Sequence, residues 1–348
     1  MRWPAVTVPS VRLSLSIGRR WKLLGGFGGV AALLLASSYQ ILMTDSPLPA
    51  EPRLSAPIRA ATIRIGNLDR SYLFYVPTTL TAHPALLFAL HGARMTGRRM
   101  RVLTAYEFDA LADAHNFIVV YPDGFEKYWN DCRRHGAYAA KTHSVDDVAF
   151  IHALIDHFRV EFAIDATRVF VMGFSNGGQM AYRLALELPG EIAAVVAVAA
   201  NLPISEDCEC TPSQRSIAVM IVDGTADPIN PYEGGKQGWF GLGNQSRLRS
   251  ASETASYFSQ RAGRHALPEV ERYPERDGDL RTWVERTKWA YPGEPEVDLY
   301  TVRGGGHTIP GSPYRLRRIL GRTDADIDCM QESWAFFERQ IQNPAMSR

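Results

Sequence analysis

A serine in the middle of the chain stands where a nucleophile is expected. Residues 168–178 read R-V-F-V-M-G-F-S-N-G-G, an apolar run followed by G-x-S-x-G and then by a helical pattern. This order of strand, tight turn and helix is typical of a serine whose hydroxyl projects beyond the edge of a sheet. Only glycine fits two residues to either side of such a turn, and the helix N-terminus favours developing negative charge. We therefore predict that Ser175 is a nucleophile.

A serine hydroxyl needs a positioned base, usually a histidine that is held by a carboxylate. Two histidines follow Ser175 in the chain, His265 and His307. His307 comes after three consecutive glycines and a predicted strand, so the backbone can return its ring over the sheet edge. His265 lies in a polar stretch where a solvated side chain is expected. We predict that His307 is the base.

The acid should lie in the loop after the predicted strand Ile217–Val222, which contains two aspartates. Asp227 lies further into the loop, before Pro228, where its carboxylate can reach an imidazole. Asp223 stands beside a glycine and has the composition of a turn residue. We favour Asp227 as the acid.

Two backbone amides are needed to hold an oxyanion. One should come from Asn176, the residue after the nucleophile, and the other from the loop after the strand that ends at Leu90. Ala93 follows His91-Gly92 in that loop and is the expected second donor; an ordinary strand-to-loop turn is the alternative. Trp129, together with Trp239 and Phe240 in the Gly-rich loop 234–243, could line an apolar substrate pocket or pack within loops.

The elements that must position these residues are predicted from apolar periodicity. Continuous apolar strands, most of them followed by helical patterns, indicate a parallel sheet that is covered on both faces. We predict a doubly wound α/β domain over residues 59–342, with an antiparallel hairpin at its start. The predicted strands are Thr62–Ile65, Tyr72–Val76, Ala85–Leu90, Phe117–Tyr121, Val169–Met172, Ala193–Val198, Ile217–Val222 and Val297–Val302. The predicted helices are Phe108–Ala114, Val145–Phe162 with Ser144 as its cap, one after Ser175, Ala251–Arg261 and Asp324–Ile341.

Residues 1–45 have the pattern of an export segment. Residues 1–22 contain five arginine or lysine residues and no acid, and residues 23–44 contain no charged side chain. A basic flank before an uncharged segment long enough to cross a bilayer predicts a signal peptide or an uncleaved membrane anchor, and both remain open. Residues 46–58 include four prolines and are predicted to be a linker. We expect the catalytic part to be exported, either secreted or periplasmic.

The overall composition excludes some classes of function. Apolar residues make up 46% of the 348 residues and the formal charge is +1, which gives no reason to expect a nucleic-acid partner. Cys132, Cys208, Cys210 and Cys329 do not have the spacing of a zinc site. They permit three complete disulfide pairings, among which the sequence does not choose. Neither a metal nor an organic cofactor is expected.

Seven segments taken together resemble the secreted polyhydroxybutyrate depolymerases, to which feruloyl and acetylxylan esterases are related. The segments are A-L-H-G (89–92), Y-P-D-G (121–124), W-N-D-C (129–132), V-D-D-V-A-F-I (145–151), V-M-G-F-S-N-G-G (171–178), G-T-A-D-P-I-N-P-Y (224–232) and G-G-G-H-T-I-P-G (304–311). The resemblance covers roughly residues 59–340 and implies an α/β-hydrolase fold. It also implies a catalytic triad of Ser175, Asp227 and His307.

Three positions depart from that family's pattern. Ala93 stands where the family often has cysteine, Asp223 where histidine is common, and Ile309 where tryptophan is common. The last change implies a reshaped pocket beside the histidine. The departures leave the chemistry intact and put the substrate in doubt.

The sequence therefore predicts a serine esterase that forms an acyl-enzyme with hydroxyalkanoate oligomers or similar small or oligomeric esters. One alternative is a feruloyl or acetylxylan esterase acting on plant polysaccharide esters. Others are a serine peptidase or acyltransferase, or a non-catalytic envelope binding protein with the same fold. No Thr/Ser-rich linker follows the catalytic part, so soluble esters are expected rather than solid polymer.

Overall fold

The computed structural model describes residues 42–239, 242–263, 267–276 and 278–342. Nearly all of the predicted export segment, together with Phe240 and His265, therefore lies outside the described residues. Within them, no helix combines the length and the apolar character that crossing a membrane requires.

The strands of the described residues form a ten-stranded sheet and a separate two-stranded hairpin. They are β1 (Arg59–Ile65), β2 (Leu68–Tyr75), β3 (Ala85–Leu90), β4 (Phe117–Pro122), β5 (Val169–Phe174), β6 (Ala194–Val198), β7 (Ala218–Gly224), β8 (Gly235–Trp239), β9 (Leu242–Leu248), β10 (Glu269–Arg272), β11 (Trp283–Trp289) and β12 (Val297–Arg303). The large sheet has the order β1-β2-β4-β3-β5-β6-β7-β12-β11-β10, and the strands from β4 to β12 in that order are parallel. The predicted doubly wound α/β sheet with an antiparallel hairpin at its start is confirmed.

Seven helices are described outside the sheet, and buried side chains on both faces of the sheet form two apolar clusters. The helices are α1 (Gly97–Leu103), α2 (Glu107–Ala114), α3 (Ala139–Thr142), α4 (Asp147–Phe162), α5 (Asn176–Glu187), α6 (Ala251–Arg261) and α7 (Cys329–Ile341). Side chains of α4, α5 and α6 belong to one cluster, and side chains of α1, α2 and α7 to the other. Along β5 the side chains alternate between the clusters, with Val169 and Val171 in the first and Phe170 and Met172 in the second. Burial on both sides explains why this strand has no polar face.

Several local predictions are wrong. The stretch 234–243 was predicted to be a loop, but residues 235–239 and 242–243 belong to the paired strands β8 and β9. Strands β10 and β11, which extend the far edge of the sheet, were not predicted. The last helix begins at Cys329 rather than at Asp324. Ser144 does not cap α4: its φ is +49°, and the Asp146 carboxylate accepts the hydrogen bond from the Ala149 amide instead.

The proline-rich stretch before β1 has no helix or strand but is attached to the domain by side chains. Asp45 accepts hydrogen bonds from Arg99 at 2.5 Å and from the Tyr314 hydroxyl at 3.0 Å. Ser55 donates through its hydroxyl to Asp113 at 2.5 Å and through its amide at 2.9 Å. Polar contacts therefore fix this stretch to the domain at two separate points.

Close backbone packing at the carboxyl end of β5 sets the position of Ser175. A Cβ atom on Gly173 would lie 2.1 Å from the carbonyl oxygen of Gly177, and one on Gly177 would lie 2.3 Å from that of Leu90. Both distances are far below van der Waals contact, so neither position accepts a side chain. The two glycines therefore hold the ends of β3 and β5 and the start of α5 against one another.

We predict that Gly177→Ala lowers the free energy of unfolding by about 1–3 kcal/mol, because its methyl group must displace backbone atoms. The matched control is Gly190→Ala, at an exposed turn where an added Cβ meets no atom within 4 Å. That change should alter the free energy of unfolding by no more than about 1 kcal/mol. Urea unfolding measures both values, and equal midpoints for the two variants would contradict the prediction.

Candidate active site

Ser175 occupies the strained turn that its sequence context predicts. Its backbone has φ 54° and ψ −116°, a combination that residues with a side chain rarely adopt. The Ser175 amide donates to the carbonyl of Val198 at 2.8 Å, which ties the turn to the end of β6. The residue is 8% exposed, so most of its surface is covered by neighbouring residues.

The three predicted triad side chains meet in a hydrogen-bonded line. Nε2 of His307 lies 2.9 Å from Oγ of Ser175, and Nδ1 lies 2.7 Å from Oδ2 of Asp227. A carboxylate only accepts, so Nδ1 carries the ring hydrogen and Nε2 is left to accept from the serine hydroxyl. The arrangement can remove a proton from Ser175.

Backbone contacts bring the loops of Asp227 and His307 together. The Ala226 amide donates to the Gly305 carbonyl at 2.9 Å. A Cβ atom on Gly224 would lie 2.3 Å from that same oxygen, so only glycine permits the approach. The loops that follow β7 and β12 are neighbours because these strands pair in parallel.

The structure places Asp227, and not Asp223, beside the imidazole. Oδ1 of Asp227 accepts from the amides of Ile229 at 2.7 Å and Asn230 at 2.8 Å, which leaves Oδ2 for His307. Asp223 is buried and accepts from the Ala200 amide at 3.0 Å. Burial, reinforced by the negative charge of Asp227, raises the pKa of Asp223 well above its usual range. Burial therefore favours the protonated form of Asp223.

The loop of Ala93 lies against the nucleophile, and His91 fixes its orientation. A Cβ atom on Gly92 would lie 3.4 Å from Cβ of Ser175. Nε2 of His91 accepts from the Gly124 amide at 2.9 Å, so Nδ1 carries the hydrogen and donates to the Gly92 carbonyl at 2.8 Å. Burial lowers the pKa of His91 to about 4, which keeps the ring neutral. In a trans peptide the N–H points opposite to the C=O, so this bond also fixes the direction of the Ala93 amide.

The side chain of Asn176 is fully occupied, which leaves its backbone amide for a ligand. Oδ1 accepts from the Trp129 amide at 2.8 Å, and Nδ2 donates to the Trp129 carbonyl at 3.1 Å and to Asp131 at 2.5 Å. As the first residue of α5, Asn176 has no partner for its amide within the helix. No described residue accepts a hydrogen bond from the amides of Asn176 and Ala93.

Sequence reasoning missed the buried carboxylate of Asp131, although W-N-D-C was among the quoted motifs. Asp131 pairs with Arg133 and accepts from the Tyr138 hydroxyl at 3.0 Å as well as from Asn176. Burial alone would raise the pKa of Asp131, but the Arg133 guanidinium and the hydrogen bonds lower it below its usual range. An ionised carboxylate therefore anchors the residue that follows the nucleophile.

The predicted pocket residues have different environments. Trp129 is completely buried, and its indole N–H donates to the carbonyl of His91 at 2.9 Å. Ile309 is also buried, two residues after His307. Trp239 is half-buried at the end of β8. Trp129 thus supports the wall of the site from within the core.

Comparisons with known proteins find esterases. A family model described as phospholipase/carboxylesterase matches residues 135–238. The chain is 28% identical over 299 residues to the putative esterase NocK of Nocardia uniformis subsp. tsuyamanensis, which covers 81% of this chain and 83% of that protein. It is 24% identical over 267 residues to the poly(3-hydroxyalkanoate) depolymerase C of Paucimonas lemoignei, covering 71% of this chain and 60% of that protein.

One solved structure, an acetyl xylan esterase from Aspergillus awamori, superposes with a TM-score of 0.52 at 16% identity. The match covers 73% of this chain and 95% of that one. It supports the α/β-hydrolase fold alone. The resemblance that the sequence motifs predict is confirmed by the family model and by the named relatives.

We predict that Asp223→Asn becomes more stable, relative to the parent protein, as pH rises from about 4 to 8. The unfolded chain loses the Asp223 proton near the ordinary carboxyl pKa, whereas the raised pKa moves this loss to higher pH in the folded protein. Since the folded state binds more protons, the parent's free energy of unfolding falls as pH rises through this window. Asparagine removes that titration and keeps an oxygen for the Ala200 amide.

Urea unfolding of both proteins at several pH values measures the difference. Asp69→Asn, on the surface at the start of β2, is the matched control. A difference between Asp223→Asn and the parent that stays constant from pH 4 to 8 would contradict the prediction.

Proposed function

We propose that this chain, a carboxylic ester hydrolase of the α/β-hydrolase superfamily, hydrolyses its substrate with Ser175 as nucleophile, His307 as base and Asp227 as the acid that holds the base. The observation that supports this proposal is the unbroken line of hydrogen bonds from Asp227 through His307 to Ser175. A buried imidazole between a carboxylate and a hydroxyl is equipped to take a proton and return it.

In the first half of the reaction, Oγ of Ser175 attacks the ester carbonyl while Nε2 of His307 takes the serine proton. The amides of Ala93 and Asn176 donate to the oxygen on which negative charge develops. The tetrahedral intermediate collapses as His307 protonates the departing alcohol, which leaves an acyl group on Ser175. Asp227 stabilises the imidazolium and holds the ring in the reactive tautomer.

In the second half, His307 removes a proton from water, and the resulting hydroxide attacks the acyl carbonyl. The second tetrahedral intermediate expels Ser175, which regains its proton from His307, and the carboxylic acid leaves. Each step uses side chains, backbone amides and water of this site alone.

For the substrate we propose soluble oligomers of hydroxyalkanoic acids. The motif resemblance and the similarity to a poly(3-hydroxyalkanoate) depolymerase support this class. The low exposure of Ser175 and His307, 8% and 4%, supports a flexible ester that can enter a recess rather than a flat polymer surface. In accord with the export expected from residues 1–45, we propose that the enzyme acts outside the cytoplasm.

We predict that Ser175→Ala lowers kcat on p-nitrophenyl butyrate by at least about 10⁴-fold, because the nucleophile is lost. Asp227→Asn should lower kcat by a similar factor, since an amide no longer enforces the Nδ1–H tautomer. The far-UV circular dichroism spectrum of both variants should match that of the parent.

Asp223→Asn is the matched control, because it makes the same change four residues earlier, within β7, at a carboxyl group that bonds to the Ala200 amide rather than to His307. It should keep kcat within about tenfold of the parent, as expected for a change away from the reacting atoms. Equal losses in the two asparagine variants would remove the distinction between Asp227 and Asp223 on which the mechanism depends.

We predict that kcat/KM is highest for 3-hydroxybutyrate oligomers in a panel that also contains methyl ferulate, acetylated xylo-oligosaccharides and a matched amide. The released acid is quantified by chromatography. Faster turnover of ferulate or of acetylated sugar would replace the substrate class while retaining the mechanism. Amide cleavage, or acyl transfer to an added alcohol in preference to water, would instead identify a peptidase or an acyltransferase.

A further inference from the structure

Three of the four cysteines form a cluster of sulfur atoms. Cys132 and Cys210 are joined by a disulfide, and the free thiol of Cys208 completes a group whose Sγ atoms all lie within 4.8 Å of one another. Cys132 is fully buried, whereas Cys208 is half-buried. The fourth cysteine, Cys329, is buried in the cluster on the opposite face of the sheet.

Backbone hydrogen bonds explain why Cys132 has both Cys208 and Cys210 as neighbours. The Glu209 amide donates to the Cys132 carbonyl at 2.9 Å, and the Arg134 amide donates to the Asp207 carbonyl at 2.8 Å. The segments around Cys132 and Cys208 therefore run antiparallel. Glu209 lies opposite Cys132 and is flanked by Cys208 and Cys210. Both of these cysteines are therefore one position away from the residue that bonds to Cys132.

We propose that Cys208 is an internal exchange partner of this disulfide, so that the chain interconverts between a Cys132–Cys210 and a Cys132–Cys208 form. The deprotonated sulfur of Cys208 attacks Sγ of Cys132, and a Cys132–Cys208 bond forms as the Cys132–Cys210 bond breaks. Cys210 leaves as a thiolate and takes up a proton. The number of disulfides and thiols is unchanged, and the step needs neither oxidant nor reductant.

Chain entropy gives neither form an advantage. The stabilisation that a disulfide provides by closing a loop varies with the logarithm of the loop length. The present bond spans 78 residues, and the alternative shortens the loop by only two. Local packing around the two sulfurs therefore decides their relative populations, and both bonds tie the same two segments together.

The charges around Cys208 set the pH at which the exchange is fast. Burial raises the pKa of the Cys208 thiol, a backbone hydrogen bond from Cys210 and the charge of Arg249 oppose this rise, and the carboxylates of Glu187 and Glu209 add to it. Tyr257, whose phenol also lies near the thiol, is neutral at physiological pH. The reactive thiolate is therefore scarce at neutral pH and becomes more abundant in alkaline solution.

The test uses the full chain with its native disulfide, incubated at pH 7, 8 and 9 and quenched in acid. Remaining thiols are blocked, and glutamyl endopeptidase then cuts after Glu209, which separates Cys208 from Cys210 for mass spectrometry. A peptide pair linked through Cys132 and Cys208 is expected. Its initial rate of appearance should rise about tenfold per pH unit while the pH remains below the thiol's pKa.

Two controls exclude other sources of that peptide pair. Parent chain whose free thiols are alkylated before the incubation should yield only the Cys132–Cys210 link, which shows that no exchange occurs during digestion. Cys329→Ser should exchange at the parent rate, and the rate should not depend on protein concentration, as expected for an internal reaction. Detection of only the Cys132–Cys210 link in the parent chain after a day at pH 9 would overturn the proposal.

Discussion

The geometry of the site depends on how closely the polypeptide backbones approach one another where α5 begins. Gly177 lies so near the carbonyl of Leu90 that a methyl group would have to occupy the space of that oxygen. This contact joins the end of β3 to the turn after β5. Because of it, the Gly92-Ala93 loop and Ser175 are neighbours.

Around that contact, buried ionisable groups have protonation states that their neighbours impose. Asp131 stays ionised because Arg133 lies beside it, whereas burial favours the neutral forms of His91 and Asp223. Asp131 accepts from Arg133, Tyr138 and Asn176, as an ionised carboxylate can, and His91 accepts at one ring nitrogen while donating from the other, as a neutral imidazole does. In the protein interior, where the dielectric constant is low, such hydrogen bonds are strong, and a buried polar group without a partner lowers the stability of the fold. The carboxylate of Asp131 and the neutral ring of His91 thus hold the Asn176 side chain and the Gly92-Ala93 peptide in place before any substrate arrives.

The central strands could be predicted because burial on both faces makes them continuous apolar runs. Ser175, Asp227 and His307 could be predicted because each of them follows such a strand. Strand β10, with the sequence E-V-E-R, is exposed throughout and carries no comparable signal. The role of Asp131 depends on contact with Asn176, 45 residues away in the chain. Local patterns record no contact of that kind, so only the folded structure reveals it.

The attachment of the proline-rich stretch has a practical consequence for choosing a shorter version of the protein. Glu51 pairs with Arg101, which is only 4% exposed, and Ser55 bonds to Asp113. A protein truncated at Arg59, where β1 begins, would lack Glu51 and Ser55. The nearly buried guanidinium of Arg101 and the carboxylate of Asp113 would then each lose a hydrogen-bond partner. A recombinant fragment that starts at Asp45, the first residue of the compact unit, retains these bonds.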